Sequence, residues 1–126
     1  GAVPYGTAPF CMKLLRGKER WNMDVTGICE DGALTVYLTG ELDHHAARGA
    51  MREIGRLIDE NLPRSCCLAL SGLQFMDSSG IAVVLSTWRH MQRLGGTACV
   101  ADVPKQAARV LCMAGVPALV PGVKME

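Results

Sequence analysis

The stretch Ser65–Leu73, "SCCLALSGL", limits what this chain can fold into more than any other. It lacks the alternation of a strand with one wet face, and it reads as a strand buried on both sides. Such a strand sits in the middle of a sheet that carries helices, and helical patterns flank it. Before it, Ala47, Ala50, Met51, Ile54, Leu57, Ile58 and Asn61 recur at helical spacing, with Arg48, Arg52, Glu53, Arg56 and Glu60 on other faces. Asp43 stands ahead of that helix with a side chain able to cap its free amides, and Pro63 stops it. After it, Ile81, Val84, Leu85, Trp88 and Met91 line one stripe of a second helix over residues 78–94, ended by Gly95 and Gly96. "TACVAD" follows as a strand. A third helix has Pro104 in its first turn and Gly115 past its end, and Ala118–Val120 reads as a last short strand.

Ahead of all these, "VTGICE" and "ALTVYLTG" flank Asp31-Gly32, whose tolerance of positive φ makes a tight hairpin. The order is ββαβαβαβ. Strands alternating with helices imply right-handed crossovers, hence an α/β single domain with a mostly parallel central sheet of about five strands. The opening hairpin adds an antiparallel strand, and the helices pack on the sheet. Residues 1–22 show no clear period and form an N-terminal arm, readable as a tag remnant, an over-long start or a flexible extension. The domain proper covers residues 23–126.

A chain of 126 residues supports one core. Its 49% hydrophobic and 20% charged residues place it among globular sequences. Thirteen Lys and Arg against twelve Asp and Glu leave a net charge of +1, so no general field draws it to nucleic acid or to an anionic membrane. Arg89, Arg93, Lys105 and Arg109 read as a solvated face, not an RNA surface. The apolar runs fall well short of the roughly 20 residues that cross a bilayer. Cys29, Cys66, Cys67, Cys99 and Cys112 read as reduced, mostly buried small hydrophobes, since no CxxC occurs and Cys66 and Cys67 are adjacent. That usage points to the cytoplasm. His44, His45 and His90 lack any metal-ligand spacing and read as surface residues; no metal or cofactor is expected.

One short segment stands out against this background. "MDSSG", Met76–Gly80, joins the carboxyl end of the central strand to the start of the second helix, where open α/β sheets place their sites. Asp77, Ser78 and Ser79 all suit a helix N-terminus, so capping alone accounts for one of them. The free amides and dipole there also favour an anion, including a phosphate carried on a serine. Gly80 removes bulk beside them, which suits close approach of another molecule. A nucleophilic serine fits less well. G-x-S-x-G is absent, and His90 lies roughly 16 Å along the helix from Ser79. His44 and His45 belong to a different element, so the chain is read as no enzyme.

"LTGELD", a helix, "LALSGLQFMDSSGIAVVL", "LGGTACVADV" and "LCMAGV" together resemble the STAS domain, in particular the small bacterial anti-sigma factor antagonists, from about Met23 to about Val123. The resemblance implies a partner-switching protein. Its unmodified form binds an anti-sigma factor that is also a serine kinase of the GHKL type, and so releases a sigma factor for transcription. Phosphorylation of the second serine of the motif, here Ser79, ends that binding, and a metal-dependent serine phosphatase restores it. Asp43, Asp77, Ser78, Ser79 and Gly80 would form the partner-binding rim. The chain departs from family habit at Ala69, where relatives often carry a polar residue, and in a C-terminal segment expected to be too short for a final helix. A monomer or weak dimer is expected. Two other readings stand beside this one: a STAS module of another signalling complex or a transporter regulator, and a serine hydrolase.

Overall fold

The structure is a computed structural model that describes residues 10–13, by their backbone alone, and residues 23–116. Five strands form one sheet in the order β1 (Phe10–Lys13), β2 (Met23–Glu30), β3 (Ala33–Leu42), β4 (Ser65–Met76) and β5 (Thr97–Ala101). β1–β2 and β2–β3 pair antiparallel, whereas β3–β4 and β4–β5 pair parallel through crossover helices. Those helices are α1 (His44–Asn61) between β3 and β4, and α2 (Ser79–Arg93) between β4 and β5; α3 (Lys105–Met113) follows β5. The α/β architecture expected from the sequence is therefore present, with a mixed sheet in which two pairings are antiparallel and two parallel in place of a mostly parallel one.

Its strand inventory differs at the N-terminal end. β1 lies in the segment read as an N-terminal arm of no clear period. It joins the sheet through backbone pairing, Phe10 opposite Gly27 to Lys13 opposite Asp24, which requires no side-chain periodicity and leaves no signal in the sequence. The strand expected at Ala118–Val120 lies outside the described residues.

Local chemistry explains the elements. Asp31 and Gly32 take φ of 53° and 80°, which the tight β2–β3 turn demands, and the Arg64 guanidinium donates to the Asp31 carbonyl at 2.8 Å to brace it. β2 and β3 alternate buried and wetter positions, as half-covered strands do. β4 carries Cys66, Leu68, Ala69 and Leu70 buried in near succession, as a central strand should.

α1 lays Ala46, Ala47, Ala50, Ile54, Leu57 and Ile58 on the sheet. Glu53, expected on an outward face, is instead 8% exposed, because Arg56 grips both its carboxylate oxygens and reaches Glu60 at 2.7 Å. That grip holds the Arg56 guanidinium above its ordinary pKa. α2 packs beside α1, with the His90 ring against Gly55 and its Nε2 at 2.8 Å from the Asp59 carboxylate. Its buried face is rotated from the predicted stripe. Val83, Val84, Thr87 and Met91 are buried, while Ile81, Leu85 and Trp88 are half-buried. Thr87 escaped notice as polar, yet its hydroxyl donates to the Val83 carbonyl at 2.9 Å and so satisfies itself within the helix.

Among the five described cysteines, Cys66 is buried, Cys112 is exposed and the others are intermediate. The expectation of mostly buried thiols is corrected: Cys66 alone of the five is fully buried, Cys29, Cys67 and Cys99 are half-buried, and Cys112 falls on the wet side of the short α3. Arg89, Arg93, Lys105 and Arg109 are exposed, as a solvated face requires. Among the described residues, no helix is long and apolar enough to cross a membrane.

Candidate functional site

Parallel strands β3 and β4 end side by side, Leu42 opposite Met76, so each delivers its following helix to the same rim of the sheet. Asp43 caps α1, its Oδ1 accepting from the His45 and Ala46 amides at 3.0 and 3.1 Å. Asp77 stands two residues before α2, one ahead of Ser78 in the cap position. Its Oδ1 accepts from the Ser79 amide at 2.8 Å, and its Oδ2 reaches across to accept from the His44 amide at 3.2 Å. One carboxylate therefore ties two helix N-termini together. The Asp77 amide in turn donates to the Leu42 carbonyl at 3.2 Å, which closes the junction between the two strand ends.

These bonds divide the work within the motif. Asp77 supplies the side-chain acceptor for the first helical amide; Ser78, in the cap position, makes no capping bond with its side chain, stands exposed and merely accepts at its carbonyl from the Ile81 amide at 3.1 Å. Ser79 opens α2 and is half-buried, with its amide held by Asp77 and its hydroxyl outside every described hydrogen bond. A hydroxyl so placed is available for modification, in a turn whose backbone is already fixed.

Gly80 has a different role from the one read in the sequence. It is buried, and a Cβ there would lie 2.5 Å from Met76 Cγ. The missing side chain makes room for Met76 from inside the domain, not for an approaching molecule. Met76, itself 0% exposed, is the floor on which the first turn of α2 rests.

Of the three histidines read as surface residues, His90 alone is half-buried. His44 and His45 come from another element, but α1 starts beside α2, so both stand on this rim. They are exposed, their rings lie tilted by 37° with centroids 3.9 Å apart, and His45 Nδ1 lies 3.9 Å from Asp43 Oδ2. Neither imidazole hydrogen-bonds Ser79 among the described residues, and His90 is engaged with Asp59. The geometry therefore contains no Ser–His pair of the kind nucleophilic catalysis uses.

The sequence gives no hint of Gln106. From the first turn of α3 its amide clamps the Met76 peptide, Nε2 donating to the Met76 carbonyl and Oε1 accepting from the Met76 amide, both at 2.8 Å. No local pattern marks a glutamine as the partner of a strand end 30 residues earlier.

Taken together, the rim presents Asp43, Asp77, Ser78, Ser79 and the His44–His45 pair over a rigid base. Comparison with known proteins gives the family. The chain is 37% identical over 90 residues to an anti-sigma F factor antagonist of Paenibacillus polymyxa, covering 71% of this chain and 77% of the relative. It is 36% identical over 63 residues to one of Lysinibacillus sphaericus, covering 50% of this chain and 54% of that one. Among solved structures, the anti-sigma factor antagonist SpoIIAA in its unphosphorylated form shares the fold with a TM-score of 0.67 at 23% identity, over 82% of this chain and 89% of that one. An anti-sigma factor antagonist from Mycobacterium paratuberculosis does so with a TM-score of 0.71 at 20% identity, over 82% and 86%. The STAS domain profile matches residues 23–125, which span every described element except β1, and the chain belongs to the STAS domain family.

Proposed function

We propose that this protein is an anti-sigma factor antagonist that works by partner switching, with Ser79 as its phosphorylated residue. The observation that carries this reading is the 37% identity with a relative named as an anti-sigma F factor antagonist, in a chain whose Ser79 hydroxyl is left outside the caps around it. The solved structures with this fold include SpoIIAA in a phosphorylated form as well. In this reading the unmodified rim of Asp43, Asp77, Ser78 and Ser79 binds an anti-sigma factor that is a serine kinase of the GHKL type, and a sigma factor is freed in the cytoplasm. The protein acts as a binding partner and not as an enzyme.

Physical chemistry supports an abrupt switch. Phosphorylation adds a charge of about −1.5 to −2 at neutral pH, together with three acceptor oxygens. At Ser79 that charge would enter a rim where Asp77 and Asp43 already occupy the favourable amides. A partner pressed against this rim must then desolvate three negative groups in place of two, which costs the complex far more than it costs the free protein. A metal-dependent serine phosphatase would reverse the change. Incubation of the wild-type and Ser79→Ala proteins with the kinase and Mg-ATP, followed by phosphopeptide mapping, tests the site. Phosphate on Ser79 and none on the variant is the expected result; phosphate elsewhere, or none on either, refutes it.

A further inference from the structure

β5 stops at Ala101, opposite Ala69, whereas β4 runs on to Met76. Among the described residues, no strand covers the β5-facing edge of β4 where it delivers the Asp77–Gly80 turn. Gln106 takes that place. A strand residue points its N–H and C=O to the same side, so one primary amide can satisfy both, as a neighbouring strand would. The reach comes from the route of the chain: Asp102, at φ 56°, turns it sharply after β5, and Pro104 then starts α3 so that Gln106 lies in its first turn.

The clamp acts on the peptide that supports the serine. Met76 lies under Gly80, and the next residue, Asp77, holds the Ser79 amide. The turn is thus fixed from three sides: by the Leu42 carbonyl of β3, by the His44 amide of α1 and by Gln106 of α3. Resting on the functional reading above, we propose that Gln106 is a positioning residue for the modification of Ser79, because its amide holds the Met76 peptide and with it the serine's geometry. In that modification the bond from Ser79 Oγ to the γ-phosphorus of ATP forms as the bond to the bridging oxygen breaks. The hydroxyl proton passes to a base of the kinase, and ADP leaves. In-line transfer tolerates little wandering of Oγ, so a loosened turn costs turnover more than it costs docking.

The test uses the full chain and the ATP-binding serine kinase that immobilised Ser79→Ala protein retains from the source cell. Gln106→Leu removes both hydrogen bonds; Gln106→Glu keeps only the acceptor; Arg109→Ala, on the exposed side of α3, controls for general disturbance of that helix. Phosphorylation kinetics are read beside amide hydrogen exchange at Met76 and Ser79. Gln106→Leu is expected to lower kcat about tenfold while KM stays within about twofold, with faster exchange at both amides. Gln106→Glu falls between, and Arg109→Ala matches the wild type. Wild-type kcat with protected amides in Gln106→Leu overturns the inference, as does an equal loss in Arg109→Ala. A wild-type protein that takes no phosphate on Ser79 overturns the functional reading instead, and amide exchange alone then decides whether Gln106 holds the turn.

Discussion

Asp43 and Asp77 do similar chemistry with different reach. Asp43 serves two amides of its own helix, so Asp43→Ala is expected to cost about 1 kcal/mol of stability, and Asp43→Ser much less, in urea denaturation. Asp77 serves one amide of each of two helices, which makes it the harder residue to replace. Gly80 supplies a second prediction at this scale. Its Cβ would force Met76 out of a fully buried position, so Gly80→Ala is expected to destabilise by about 1–3 kcal/mol, measured the same way. The Asp43 cap was legible in the sequence, because an acidic side chain ahead of an amphipathic run advertises itself, whereas Asp77, Ser78 and Ser79 suited the second helix start equally. The reason for Gly80 was not, because it depends on where Met76 points once β4 is buried.

At the scale of elements, β4 is the strand on which the rest is built. Burial pushes the Cys66 thiol up from 9.0 to about 12, with the neighbouring Cys67, Cys99 and Cys29 adding to the effect. In the unfolded chain this thiol ionises near its ordinary value, while in the folded protein it stays protonated to higher pH. Cys66 therefore imposes no penalty below about pH 9, and stability falls as pH rises from about 9 to about 12. Thermal midpoints across that range should fall more steeply for the wild type than for Cys66→Ala; parallel curves would show that Cys66 is not the group responsible. The strand–helix alternation around β4 was readable, since the hairpin, α1 and β4 each carry a local signal. Two elements resisted for physical reasons. β1 joins by backbone pairing alone, and the buried face of α2 follows the seating of Gly80 on Met76, which shifts its stripe toward Val83 and Thr87.

For the whole molecule, topology brings two helix N-termini to one rim, and the site exists only there. The segment Asp77–Gly80 was visible as a motif, but its partnership with α1 through His44, and with α3 through Gln106, required the fold. A rim braced from so many sides can take a charge without unfolding. Ser79→Asp places its charge at a helix N-terminus, where the dipole favours it, and is accordingly expected to leave stability within about 1 kcal/mol of the wild type while removing partner binding. The most direct test of partner switching is capture of the anti-sigma kinase from the source cell's lysate by wild-type, Ser79→Ala and Ser79→Asp proteins, with the retained proteins identified by mass spectrometry. Retention by the first two and loss by the third is the predicted result. Equal retention by all three, or a captured set without a serine kinase, would contradict the switch.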